Sequence, residues 1–114
     1  MPFIQVNTTL TLTQSEKDKI ASRIGDVISI IPNKSEPLLM IDIRDGDTMY
    51  FGGIHKEKCA FVDVRCYKSA PFEANKEFTE RIFELLQEET PLEQGDIYVS
   101  IAEYPIWGTK GSLK

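Results

Sequence analysis

The sequence predicts an α+β fold. It reads as a two-layer sandwich of two β-α-β repeats, with a four-stranded mixed sheet and both helices on one of its faces. Three observations carry the prediction. The hydrophobic pattern falls back on itself, without a gap, when the chain is shifted by 58 residues. Each copy reads strand, helix, strand. The apolar residues of the strands share one parity, as a sheet covered on a single face requires.

In the first copy, Phe3-Ile4-Gln5-Val6 alternates as a short strand and lands on Phe61-Val62-Asp63-Val64. Thr13 stands three residues before Glu16, the spacing of a capping box that opens a helix. Ile20, Ile24, Val27, Ile28 and Ile31 follow at helical spacing, and Pro32 stops the helix. The first four of these land on Phe78, Ile82, Leu85 and Leu86. The second helix is expected to begin at Ser69 and Pro71 and to end at Thr90-Pro91. Pro37 and Asp96 introduce the last strand of each copy, where Leu39-Met40-Ile41-Asp42-Ile43 lands on Ile97-Tyr98-Val99-Ser100-Ile101. The expected organisation is one domain over 1–114, with pseudo-repeats at about 2–57 and 60–114.

Parity then separates two sheet faces. Ile4, Val6, Leu39, Ile41, Ile43, Val62, Val64, Ile97, Val99 and Ile101 form the face that should meet the helices. Phe3, Gln5, Asn7, Met40, Asp42, Asp63, Arg65, Tyr98 and Ser100 form the other. That second face is too aromatic for plain solvent exposure and too polar for a second core, a mixture suited to a partner subunit or a ligand.

Composition narrows the partners. With 13 basic against 18 acidic residues the net charge is −5, and no stretch is rich in Lys or Arg. A phosphate backbone or an anionic lipid surface would call for the opposite sign, so neither nucleic acid nor membrane is an expected partner. No window approaches 18 apolar residues, and the N-terminus has neither a basic region nor a long apolar stretch. A cytoplasmic location is the simplest expectation. If Cys59 and Cys66 share one strand, their Cα atoms lie roughly 23 Å apart, beyond the reach of a disulfide.

The usual catalytic constellations are missing. His55 is expected as a solvated loop residue, Asp45-Gly46-Asp47 as a hairpin turn and Gly52-Gly53 as a second turn. His55, Cys59 and Cys66 lack the fourth ligand and the spacing of a metal site, so none is expected. What remains is the start of the chain. The residue after Met1 is small enough for the methionine to be removed, which would leave the secondary amine of Pro2 as the first nitrogen. An α-amine titrates near pH 8, and an apolar pocket lowers that value, leaving a neutral base at working pH.

The opening Pro2-Phe3-Ile4-Gln5-Val6-Asn7-Thr8 is followed in order by Lys34, Met49-Tyr50-Phe51-Gly52-Gly53, Cys59-Ala60, Tyr98 and Trp107. This set, spanning essentially the whole chain, resembles the macrophage migration inhibitory factor branch of the tautomerase superfamily. The resemblance implies a homotrimer of β-α-β repeats with active sites at the subunit interfaces. It also implies cofactor-independent keto–enol tautomerisation of small α-keto acids or their enols, phenylpyruvate among them. In that scheme Pro2 is the general base and Lys34 pairs with the substrate's carboxylate or oxygen. The backbone N–H of Tyr67 and the side chains of Tyr98, Ser100 and Trp107 would bind substrate, Tyr98 being supplied by an adjacent subunit. Three departures stand out: Tyr67 replaces the family's isoleucine, Ser100 its asparagine, and Val62 the second cysteine of its redox motif. Thiol–disulfide exchange is therefore not expected. Non-standard secretion, and a protein-interaction role with a vestigial pocket, are the alternatives the same family allows.

Overall fold

The computed structural model describes residues 1–114. In chain order its elements are β1 (Pro2–Thr8), α1 (Gln14–Val27), β2 (Met40–Arg44), β3 (Tyr50–Phe51), β4 (Ile54–His55), β5 (Ala60–Tyr67), α2 (Phe72–Glu89), β6 (Ile97–Tyr104), β7 (Gly108–Thr109) and β8 (Ser112–Leu113). The main sheet has the order β2-β1-β5-β6. Its outer pairs, β1 with β2 and β5 with β6, are parallel, and the central pair β1–β5 is antiparallel. A parallel pair needs a long crossover, and here each crossover is a helix. Joining two such units through an antiparallel centre gives the four-stranded mixed sheet.

The repeat extends to individual hydrogen bonds. Leu12 N–H donates to the Asp45 carboxylate at 2.9 Å, and 58 residues on Ala70 N–H donates to the Glu103 carboxylate at 2.7 Å. Single 3-10 turns at Glu36–Leu38 and Gln94–Asp96 stand at equivalent positions before β2 and β6. These equivalences hold although few residues are identical, because backbone geometry and burial are what the two halves share.

The core lies between the helices and one sheet face. Ile4, Val6, Val62 and Val64 from β1 and β5 meet Ile20 and Ile24 of α1 and Phe78, Ile82, Leu85 and Leu86 of α2, and all of these are buried. Leu39, Ile41, Ile43, Val99 and Ile101 pack against this cluster half-buried, since they belong to the two outer strands. The opposite sheet face leaves Met40 and Tyr98 mostly exposed. No helix is long and apolar enough to cross a membrane.

Several local expectations need correction. The capping box of Thr13 and Glu16 forms as read, but Ser69 caps nothing: Pro71 is the N-cap residue of α2, without a side-chain bond. Glu103 takes that part, accepting from Ala70 N–H and from Asn75 Nδ2. Helix α1 stops at Val27 and tightens into a 3-10 turn over Ile28–Ile30 before Pro32. Asp45-Gly46-Asp47 is no hairpin. Asp45 binds Leu12 N–H and Lys17, while Asp47 accepts from Asn7, so the segment ties β1 and α1 together. The hairpin is β3–β4 instead, with Gly52 (φ 61°) and Gly53 (φ 78°) at the two turn positions that demand positive φ. His55 lies in β4, exposed, with its ring 5.5 Å from that of Tyr50. The short C-terminal hairpin β7–β8 was not anticipated.

Because Ile20 and Phe78 occupy equivalent places in one shared core, truncating either should weaken the whole domain. Phe78→Ala is expected to cost about 3–5 kcal/mol and Ile20→Ala about 2–5 kcal/mol. Urea denaturation should show each as a lower midpoint with an unchanged slope.

Candidate active site

Pro2 begins β1 and is buried. Across the central pair it stands opposite Cys66, and Phe3 stands opposite Arg65. The carbonyl of Met1 accepts the backbone N–H of Tyr67 at 3.3 Å. The same bond occurs 58 residues away in the other half, where Thr9 N–H donates to the Cys59 carbonyl at 3.2 Å. There the chain runs on into Cys59 from the β3–β4 hairpin, whereas here it starts at Met1.

Lys34 reaches this end of the sheet through a turn. Its N–H donates to the Ile31 carbonyl, and Asn33 takes a left-handed conformation (φ 66°) that asparagine tolerates better than most residues. The backbone thus reverses after α1, and Lys34 Nζ donates to the Tyr67 carbonyl at 2.7 Å. The ring of Tyr67 lies 5.2 Å from Lys68 Nζ in a cation–π contact. What Tyr67 brings to the start of the chain is its backbone: one N–H for Met1 and one carbonyl for Lys34.

The electrostatics follow from that arrangement. Burial, then the neighbouring charge of Lys34, hold the Met1 α-amine below its ordinary value of 8.0; Lys114 acts in the same sense, and Cys66 opposes them. Burial pushes the Cys66 thiol up in spite of Lys34, so it is a neutral thiol near pH 7 and a poor nucleophile. Beside Phe3 a groove of about 570 Å³ opens on the uncovered sheet face, lined by Met40, Arg65, Tyr104, Ile106 and Trp107 among others. Trp107 is held by paired backbone bonds to Lys114, at 3.0 and 2.9 Å, and its ring is 6.1 Å from that of Tyr104.

Of the residues singled out in the sequence, Pro2, Lys34, Tyr67 and Trp107 gather at this end of the sheet. Tyr98 and Ser100 do not. Pro2 is level with Cys66 and, through it, with Glu103 on β6. At a strand's rise, Tyr98 is roughly 17 Å and Ser100 roughly 10 Å further along β6. Tyr98 packs instead on Phe51, ring centroids 5.1 Å apart, beside a smaller pocket that also holds Met49 and Cys59. Within one chain neither can touch a molecule bound at Pro2. The contributions of Cys66 and Lys114 were invisible in the sequence because they depend on the β1–β5 register and on the final hairpin.

Comparison with known proteins now bears on this geometry. The family model described as macrophage migration inhibitory factor (MIF) matches residues 1–112. The chain belongs to this family. Among solved structures, MIF2 of Leishmania major superposes with a TM-score of 0.90 at 22% identity, covering 100% of this chain and 97% of that one. The MIF-like protein of Entamoeba histolytica gives 0.85 at 23% identity, with 99% and 98% covered. Pt0534, in a structure inactivated by 2-oxo-3-pentynoate, gives 0.86 at 12% identity, with 96% and 93% covered. A search of curated proteins gives no significant match. At these identities the structural likeness establishes the fold, and the family assignment rests on the family model.

In the chain that retains Met1, the α-amine is expected to titrate below 8.0. Lys34→Ala should return only part of the shift, because burial outweighs the lysine's charge. Proton-detected titration of the amine, or the pH dependence of its acylation rate, measures both.

Proposed function

We propose that this family member is a cofactor-independent keto–enol tautomerase of small 2-oxo acids such as phenylpyruvate, acting through Pro2 once Met1 is removed. The observation that carries the reading is the setting of the chain's first residues: a buried Pro2, a lowered α-amine, the Lys34 ammonium, and a Tyr67 N–H already engaged with a carbonyl oxygen.

With Met1 attached, the Pro2 nitrogen is a tertiary amide without basicity. Removal of Met1 makes it a secondary amine and frees the Tyr67 N–H. The burial and the Lys34 charge that lower the Met1 amine then act on a nitrogen one residue deeper, which stays neutral near pH 7. Such an amine takes the enol O–H proton and returns a proton to the neighbouring carbon, or runs the sequence in reverse. The carbonyl oxygen of Met1 marks where a substrate oxygen would lie, accepting from Tyr67 N–H beside Lys34. Both contacts strengthen as charge develops on an enolate, which is the condition for a rate gain.

Tyr98 and Ser100 enter the same proposal through assembly. Since they lie far along β6 from Pro2, a neighbouring copy would have to supply them, and we infer a homotrimer with sites between subunits. The mixed aromatic and polar sheet face supports this reading. Pt0534 was inactivated by an acetylenic 2-oxo acid, a substrate class consistent with the one proposed here.

Protein shown by mass to lack Met1 is expected to accelerate phenylpyruvate enol-to-keto conversion, and Pro2→Ala to lose about 100-fold or more of kcat/KM. The rate should rise with pH through a titration below 8, as the amine loses its proton. Wild-type rates in Pro2→Ala would sink the mechanism, and silence across a panel of 2-oxo acids would favour a protein-interaction role. Light scattering should give three times the mass of one chain; a monomer that is fully active would contradict the shared site.

A further inference from the structure

The groove beside Phe3 ends on a charge that the proton chemistry does not use. Arg65 lies opposite Phe3 in the central strand pair, with its guanidinium carbon 5.7 Å from the centre of the Phe3 ring. Its Nε and one terminal nitrogen donate to a single Asp63 oxygen, at 3.3 and 3.0 Å. Asp63 is thereby bound along one edge and fixes the plane of the guanidinium. The edge carrying the other terminal nitrogen stays uncommitted, and two parallel N–H groups there match the two oxygens of a carboxylate. The ion pair with Asp63 also keeps the guanidinium fully charged.

The positions of the two cations define a shape. Lys34 stands at the Pro2 end, bonded to the Tyr67 carbonyl, and Arg65 stands in the groove, with Phe3 and Trp107 on its walls. The groove's volume, about 570 Å³, is within the range of small-molecule sites. A ligand that places one acid group at Lys34 and an apolar middle between the aromatic rings would bring its far end to Arg65. On a chain of net charge −5, only such local cations can hold two negative groups.

We propose that Arg65 is a specificity-determining residue that binds a second, distal carboxylate of the substrate, making 2-oxo diacids the preferred class over 2-oxo monoacids. The proposal rests on the tautomerase reading of the Pro2 site, and its test separates the two. Trp107 is the only tryptophan and lines the groove with Arg65, so its fluorescence reports occupancy without turnover.

The experiment titrates Met1-free protein with 2-oxopentanedioate and 2-oxohexanedioate, each against the monoacid of equal chain length. One diacid of the series is expected to bind about tenfold tighter than its monoacid, the lower end for a charge-assisted bond at a half-exposed site. Arg65→Gln should erase that difference while monoacid affinity and phenylpyruvate turnover stay within about twofold. Asp63→Asn keeps an acceptor oxygen but removes a like charge, and should widen the difference. A merely structural Arg65 would not give opposite responses in the two variants. Equal affinities in the wild type, no binding of any diacid, or a preference that survives Arg65→Gln would each overturn the proposal. Absence of phenylpyruvate turnover with the diacid preference intact would sink the tautomerase reading and leave the role of Arg65 standing.

Discussion

The antiparallel pairing of β1 with β5 is the constraint on which the rest of the molecule depends. Each β-α-β unit is a parallel pair with one helix, and alone it could bury its apolar strand face only partly. Pairing the units through β1 and β5 puts Ile4, Val6, Val62 and Val64 at the centre of one face, all but inaccessible to solvent. Both helices then share a single core. The same pairing sets Pro2 across from Cys66 and Phe3 across from Arg65. A slip of one residue would send the buried valines and isoleucines to the open face, so burial holds the register that the site requires.

Function, on this view, comes from the place where the repeat is broken. The two halves make the same backbone bonds at equivalent positions, including Thr9 to Cys59 and Tyr67 to Met1. In one half the acceptor belongs to a continuous chain, and nothing there can be released. In the other it belongs to Met1, and the next residue is a proline whose nitrogen changes character if Met1 is removed. Duplication built the scaffold, and the free end in one copy gave it chemistry.

Much of the scaffold was legible because it depends on local rules. Thr13 and Glu16 cap α1 through contacts three residues apart, and the stripes Ile20-Ile24 and Phe78-Ile82 express a helical period that needs no partner to be read. Strand alternation likewise gave the buried face. Ser69 misled for a physical reason: the N–H groups at the start of α2 are met by Glu103, a carboxylate 33 residues away on β6. Its counterpart, Asp45 on Leu12, was hidden in what looked like a turn. A local spacing cannot reveal a cap that arrives from another strand.

By itself, the sequence determined the repeat, the two faces of the sheet and the residues able to do chemistry, Pro2 and Lys34 above all. Each is written in periodicity or in the intrinsic reactivity of one side chain. Tertiary structure alone decided which of them meet. Lys34 comes to the Tyr67 carbonyl because Asn33 reverses the backbone, and Arg65 comes to Phe3 because of strand register. Tyr98 and Ser100 fall at the far end of β6 for the same reason. Proximity across a sheet is fixed by which strands pair and in what register. That choice is made by burial of the whole core, and no short stretch of sequence contains it.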